Sequence, residues 1–397
     1  MTQPTKSIPG RSDPVTSSVG AGGEAWRELE GQADWEFAAG RVGLTVRNPG
    51  ADWRSILLPA TVQELVLAGR EVRLSALVAG AAIAAGFSLG GGRDYLVPLD
   101  KREWPRRLTV EISERGKKVV FLVDGRISTG WTGAPDLPMA DGLAGIALRT
   151  LGVAHVEFSE IEISTFDEPC ELSVVIACHR FGQRLRVALN SWVRQDAPTG
   201  SYEIIVVNPG NPDGTSEMLA SFAASFPEVR LRELSIDGPP DKPVLINRAV
   251  EMSRGHVVWL ADSDCLFPTG AVRTVLDVLH GDGDEEFLNF AERRHLGRSA
   301  TDALLGGSLD PVRDFSALLN SATGRDPQRY PWGYSQIVSR RVLLETPYRE
   351  EVSRFAHSDG IFVDECRRRG IPPRLVDGLI CLHLDHPFAW YGTSSFL

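Results

Sequence analysis

The chain of 397 residues carries a formal net charge of −10 at pH 7, with 43% hydrophobic and 24% charged residues. That length exceeds the ~100–200 residues of a typical domain, so two or three domains are expected, and an acidic balance without a basic stripe argues against a nucleic-acid partner. The 5 cysteines are scattered and form no CxxC pair, which fits reduced thiols in a cytoplasmic protein better than a disulfide or zinc framework.

Residues 1–23 are rich in Gly, Ser, Pro and Thr and lack an apolar core, so they read as a floppy leader and not as a signal peptide. From 24 to 166 the hydrophobic period is two. Arg107 to Glu114 alternates, Val119 to Val123 is a buried run ending in Asp124-Gly125, and Ala154 to Ile163 alternates cleanly. Short strands with Asp-Gly turns predict an antiparallel β-sandwich. The longest apolar run, Leu74 to Leu89, is mostly Ala and Gly and falls short of the ~20 residues that cross a bilayer, so no membrane span is expected. Peripheral membrane contact stays open.

After Asp167-Glu168-Pro169 the period changes. Leu172–Ala177 is an apolar strand, Gln183 to Arg194 has helical spacing, and Tyr202–Val207 is a second buried strand. A helix near 216–224, a short strand over Val229–Leu234 and a helix over Asn247–Arg254 follow. Val257 to Ala261 then runs straight into Asp262-Ser263-Asp264. Strands alternating with helices predict a parallel, doubly wound α/β sheet with a domain boundary near 167. Such sheets bind ligands at the carboxyl ends of their strands. Two carboxylates emerging there, one residue apart, are hard oxygen donors suited to Mg²⁺ or Mn²⁺ carrying a diphosphate. The same triplet also serves as ordinary turn chemistry.

Four segments narrow the reading: Ser173–Arg180, Glu203–Thr215, Asn247-Arg248 with Arg254-Gly255, and Asp262–Asp264. In order and spacing they resemble the family 2 glycosyltransferases, whose GT-A fold is a Rossmann-like α/β sheet. The segment 24–166 resembles the concanavalin-like jelly roll, through the Asp124-Gly125 hairpin, the Gly145–Leu148 strand and a closing strand ending in Ile-Glu-Ile. The first resemblance implies an inverting transferase that moves a sugar from a nucleoside-diphosphate sugar to a hydroxyl of a carbohydrate or other acceptor, using Mn²⁺ or Mg²⁺.

The resemblance also assigns residues. Ala177, Asn208, Asp213, Lys242, Asn247, Arg248 and Asp262 fall on the donor side, and Asp264 falls on the metal, with Asp262 reaching it directly or through water. Asp359 takes the place of the general base, although it also reads as a helix N-cap ahead of Ile361–Cys366. Cys381 to Pro387 resembles the family's terminal metal-binding strand. His383 and His386 share one cation only if the strand ends between them, because residues three apart on a strand point to opposite faces. Trp332 and Tyr334 are expected at the acceptor, where aromatic faces stack on sugars; core packing explains them equally well.

Three positions depart from the family pattern: Asn208-Pro209-Gly210-Asn211 stands for Asp-Asp-Gly-Ser, Ile246 for an arginine, and Ser358 for a glutamate. Lys242 or Arg248 is expected to replace the missing arginine. Residues 282–286, Arg293 and Arg294 read as solvated loop charges. Two other classes remain open at this point. One is a carbohydrate- or partner-binding protein with a degenerate transferase domain. The other is a nucleotidyltransferase, although Ala177-Cys178-His179-Arg180 is not the glycine-rich loop such enzymes use.

Overall fold

The computed structural model describes residues 16–17, 33–38, 41–46, 53–57, 71–80, 82–89, 93–98, 105–113, 118–132, 143–150, 154–166, 170–198, 200–210, 212–236, 241–281, 287–327, 335–351 and 358–386. The chain divides into two compact units, Met1–Asp167 and Glu168–Leu397. Among the described residues no helix is long and apolar enough to cross a membrane. All five cysteines are free and buried.

The first unit contains β1 (Thr16–Ser17), β2 (Ala33–Ala38), β3 (Arg41–Val46), β4 (Trp53–Leu57), β5 (Glu71–Gly80), β6 (Ala82–Leu89), β7 (Arg93–Pro98), β8 (Arg106–Ser113), β9 (Lys118–Val123), β10 (Arg126–Thr132), β11 (Leu143–Thr150) and β12 (Ala154–Phe166). Antiparallel ladders link β2-β3-β12-β5-β8-β9-β10 in that order and β4-β11-β6-β7 in another. Alternation explains the pairing: Val72, Leu74, Ala76 and Val78 lie in register with Ile112, Val110, Leu108 and the backbone of Arg106, and all seven apolar side chains are buried. The hairpin between β9 and β10 turns at Asp124 and Gly125, with φ of 48° and 78°. Both residues are left-handed, as a tight hairpin requires, and Asp124 Oδ1 accepts from the Arg107 amide at 2.8 Å. Within the expected leader, Thr16 and Ser17 pair with Ser164 and Ile163. The rest of residues 1–23 lies outside the described residues.

In the second unit the elements are β13 (Leu172–Ala177), α1 (Gly182–Trp192), β14 (Tyr202–Asn208), α2 (Thr215–Ser225), β15 (Arg230–Ser235), α3 (Lys242–Met252), β16 (Val257–Asp262), β17 (Cys265–Leu266), α4 (Ala271–Gly281), β18 (Phe287–His295), α5 (Arg298–Leu305), α6 (Phe315–Asn320), β19 (Gly324–Pro327), β20 (Gln336–Ser339), α7 (Arg340–Glu345), α8 (Ser358–Arg368) and β21 (Arg374–His383). Strands β15-β14-β13-β16 form a parallel sheet in that order. The sheet is not parallel throughout. β20 joins β16 antiparallel, β18 joins β20 antiparallel, and β21 runs parallel to β18. Arg293 and Arg294 belong to β18 and not to a loop, and Arg294 pairs with Glu292.

Helix α3 starts five residues before the expected Asn247. Asp241, with extended backbone, occupies its N-cap position and Pro243 its first turn, where proline's fixed φ favours helix and its missing N–H is harmless. Between sheet and helices, Trp192, Trp259, Phe267 and Phe290 form one buried ring cluster, with Trp192–Trp259 centroids 5.0 Å apart, edge to face, and Trp259–Phe267 at 4.9 Å. Each such pair contributes about 0.5–1.5 kcal/mol beyond area burial, which fixes the strand that leads into Asp262. Gly255 is required by a close pass: a Cβ there would stand 2.5 Å from the Ser173 amide nitrogen.

Candidate active site

Strand register builds the site. Ala177 lies beside Val207 on one flank and Asp262 on the other, so the last residues of β13, β14 and β16 share one sheet edge. β16 is buried along its length until Asp262, whose side chain is 33% exposed. The chain turns at Ser263-Asp264 and enters β17, where Cys265 pairs with His383 of β21. The Leu384 amide donates to the Asp264 carbonyl at 2.9 Å, and β21 ends at His383. Because the strand stops there, His386 turns back to the same carboxylate.

Asp264 Oδ2 lies 3.1 Å from His386 Nε2 and 3.6 Å from His383 Nε2, all three side chains being nearly buried. The returning segment is pinned from two helices. Arg184 of α1 donates to the Asp385 carbonyl at 2.9 Å, the Asp385 amide donates to Thr301 Oγ1 of α5 at 2.9 Å, and Phe181 meets the His386 ring edge to face at 5.5 Å. Burial alone would push the Asp264 carboxyl up, but the two imidazoles override it and hold it below the usual carboxylate range. Burial lowers His383 and outweighs the attraction of Asp264, favouring the neutral imidazole that ligates metals.

These residues fit a divalent cation. Two donors sharing one ion at about 2.1 Å each stand no more than about 4.2 Å apart, and both imidazole–carboxylate separations meet that limit. Asp264, Cys265 and His383 also place one donor atom each within 4.8 Å of one another. Burial, with Cys381 and Asp264 close by, pushes the Cys265 thiol well above its ordinary value. A protonated thiol is a poor ligand, so His386 is the better third donor.

On the other side of Asp262 stands Lys242, at the start of α3. Its Nζ donates to Asp262 Oδ1 at 3.0 Å and lies 3.8 Å from Asp359 Oδ2. Burial works against the ammonium, yet Asp262 and Asp359 raise it above the ordinary lysine range, so it stays charged. Asp359 lies in the first turn of α8 and not at its cap, because the helix already includes Ser358. Buried against this pair, Tyr348 donates to Gln336 Oε1. No pattern in the sequence singled out Tyr348 or Gln336, whose partners in the site come from other elements.

The remaining expected residues divide. Asn208 is buried and donates to Glu233 Oε1 at 2.7 Å and Ser216 Oγ at 3.1 Å. Asp213 accepts from the Gly182 amide at 3.1 Å and from Thr215 Oγ1 at 2.5 Å, tying the β14 loop to the start of α1. Asn247 grips the backbone of Tyr348, accepting from its amide at 3.0 Å and donating to its carbonyl at 2.8 Å. Arg248 faces outward and pairs with Glu251 at 3.0 Å, with no described contact to Asp262, Asp264 or Lys242. Trp332 and Tyr334 lie outside the described residues.

Residues 173–286 match the family model described as glycosyl transferase family 2. That segment is similar to the family 2 glycosyltransferases, and two curated glycosyltransferases are similar over part of the chain. Glycosyltransferase AglE of Haloferax volcanii is 28% identical over 94 residues, 24% of this chain and 30% of AglE. YibD of Escherichia coli, described as an uncharacterized glycosyltransferase, is 31% identical over 100 residues, 25% of this chain and 28% of YibD. The chain thus spans less than a third of these curated relatives. Among solved structures, S. aureus TarS 1-349 in complex with UDP gives a TM-score of 0.42 at 17% identity, covering 55% of this chain and 61% of TarS. Mannosyltransferase PcManGT from Pyrobaculum calidifontis, in complex with GDP-Man and Mn²⁺, gives 0.40 at 16%, covering 56% and 59%.

Proposed function

We propose that this protein moves a sugar from a nucleoside-diphosphate sugar to an acceptor hydroxyl, with inversion at the anomeric carbon. One observation carries the reading: at one sheet edge, next to a family 2 domain's Asp262-Ser263-Asp264, a carboxylate with two imidazoles stands on one side and a second carboxylate, Asp359, on the other, with Lys242 between. Asp264, His383 and His386 would hold the cation, with Asp262 on the donor side. When bound, that cation offsets the charge that develops on the departing diphosphate. Two imidazoles with one carboxylate favour Mn²⁺ over Mg²⁺, which prefers an all-oxygen shell.

Asp359 takes the acceptor proton as the hydroxyl oxygen attacks the anomeric carbon and the bond to the diphosphate breaks. Lys242 holds a fixed positive charge between the donor-side and acceptor-side carboxylates. Ala177, Asn208 and Asp213 keep the donor-side roles, and Trp332 and Tyr334 the acceptor-contact roles, that the family resemblance assigns them. We read residues 24–166 as a β-sandwich of jelly-roll type that engages the acceptor or a partner, with the transferase domain beginning near 167. We place the enzyme in the cytoplasm, where its thiols stay reduced.

The test is a thermal-shift panel of uridine and guanosine diphosphates and their sugars with Mn²⁺, followed by product analysis. A ligand at ~100 times its dissociation constant stabilises by about 2.7 kcal/mol, which such a shift resolves. Release of nucleoside diphosphate, reduced ~10²–10⁴-fold by Asp359→Asn with nucleotide affinity retained, is the expected result. Pyrophosphate release would make the protein a nucleotidyltransferase instead.

A further inference from the structure

We infer that Cys265 is a further ligand at the Asp264, His383 and His386 centre, recruited by thiophilic cations, so that Zn²⁺ closes the site and displaces the Mn²⁺ proposed for transfer. The inference rests on the proposed metal role of Asp264 and the two histidines and adds the residue that sets which cation the site prefers.

Strand pairing brings the thiol to the centre. Cys265 of β17 stands directly opposite His383 of β21 in an antiparallel ladder, and such partners share one face with Cβ atoms about 4.5–5.5 Å apart. Asp264 precedes Cys265 and is tied to the same edge by the Leu384 amide. Its two oxygens face different donors. Oδ1 lies 3.8 Å from Cys265 Sγ, whereas Oδ2 lies 3.6 Å from His383 Nε2 and 3.1 Å from His386 Nε2. A sulfur at about 2.3 Å and an oxygen or nitrogen at about 2.1 Å from one cation stand no more than about 4.4 Å apart. The thiol–carboxylate separation meets that limit. The thiol–imidazole side of the triangle, within 4.8 Å, meets it with a shift of at most about 0.4 Å.

Donor chemistry then separates the cations. Mn²⁺ is hard and suits carboxylate and water, so it leaves the thiol protonated and keeps positions open to diphosphate oxygens. Zn²⁺ lies later in the order of divalent-metal affinities and takes thiolate readily. As its bond to sulfur forms, the S–H bond breaks and the proton passes to solvent. One thiolate, one carboxylate and two imidazoles make four protein donors. That is the number a closed tetrahedral zinc site uses, with no position left for a substrate oxygen.

The experiment uses the full-length protein with Mn²⁺, Co²⁺ or Zn²⁺ and needs no acceptor. Co²⁺ should show near-ultraviolet sulfur-to-metal charge transfer that Cys265→Ala abolishes. Cys381→Ala, which removes the other buried thiol, two residues before His383 on β21, should retain it. Loss of an outer-shell partner lowers metal affinity about 10–100-fold, so Cys265→Ala should lower Zn²⁺ affinity at least ~10²-fold and leave Mn²⁺ affinity unchanged. Zn²⁺ should displace Mn²⁺, read as a rising electron paramagnetic resonance signal of free Mn²⁺, and UDP should bind the Mn²⁺-loaded and not the Zn²⁺-loaded protein. Absence of the sulfur band, equal losses of both affinities in Cys265→Ala, or UDP bound equally by both loaded forms overturns the inference. Undetectable Mn²⁺ binding beside an intact sulfur band would instead remove the proposed Mn²⁺ role and leave Cys265 as a ligand. Should Cys265→Ala not fold, zinc X-ray absorption of the unaltered protein must show one sulfur at about 2.3 Å; a shell of nitrogen and oxygen alone overturns the inference equally.

Discussion

Lys242→Met removes one charge at the centre of the site while keeping most of the stem's volume. The ammonium lies 3.0 Å from Asp262 Oδ1 and 3.8 Å from Asp359 Oδ2. At an effective dielectric of ~20 these separations correspond to about 5.5 and 4.4 kcal/mol of gross attraction. The net value is smaller, because the ammonium gave up its hydration and Asp262 is one-third open to water. Without the cation the two carboxylates face each other across no more than about 7 Å and repel by roughly 2.4 kcal/mol on the same scale. We expect a net loss of about 2–3 kcal/mol in urea unfolding at pH 7. Lys242 is raised above its ordinary range, so its contribution is complete below that range and is lost only as the pH rises through the raised value. Calorimetry adds a second signature. Mn²⁺ alone should bind no more weakly to the variant, whereas Mn²⁺ with UDP should lose at least ~10-fold, about 1.4 kcal/mol, because only the diphosphate needs the ammonium. A parallel loss of both affinities would refute the electrostatic account.

Asp264→Asn should weaken Mn²⁺-dependent UDP binding and slow transfer by at least ~10²-fold, measured by calorimetry and UDP release; full activity in excess chelator would count against a metal role. Glu203→Gln leaves Arg232, 2.5 Å away and buried, without its counter-charge, so we expect about 3–5 kcal/mol of lost stability with unchanged activity per folded molecule. Burial opposes the Glu203 carboxylate, but Arg232 and Arg254 hold its pKa below the ordinary value. Its stabilisation is therefore complete above the glutamate range and lost as the pH falls through the lowered value, and the deficit of Glu203→Gln should narrow in acid. A fragment beginning at Glu168 should keep the Mn²⁺·UDP affinity of the full chain; loss of that affinity would move the domain boundary.

Local signals were legible in the sequence. The apolar run Val257–Ala261 ends at Asp262 because a buried strand stays hydrophobic until it reaches solvent, and Asp124-Gly125 turns because both residues tolerate left-handed backbone. Long-range pairings were not. β20 is four residues long, too short for a periodic signature, and only its ladder with β16 makes it part of the sheet. Nothing near Asn247 in the chain announces that its partner is Tyr348, 101 residues away. The histidine pair shows the boundary between the two cases. Residue types and the requirement for a strand end followed from the sequence, whereas the return of His386 to Asp264 depends on Arg184, Thr301 and Phe181, which come from other elements.

The departures from the family pattern become intelligible once helix α3 is in place. Ile246, where the resemblance calls for arginine, is buried on the helix face that packs into the unit. A guanidinium there would need a counter-charge that the apolar neighbours Leu245, Ala249 and Val250 do not supply. Lys242 precedes Ile246 by four residues and so lies on the same helix face, one turn nearer the strand ends. From that place its ammonium reaches Asp262, so a cation is available to this edge from one turn earlier. Arg248 is two residues past Ile246 and points away, which is why it finds Glu251 on its own helix surface. Asn208 follows the same logic. Its side-chain nitrogen is engaged by the Glu233 carboxylate from the neighbouring strand, so a negative charge stands beside the position where the family carries an aspartate.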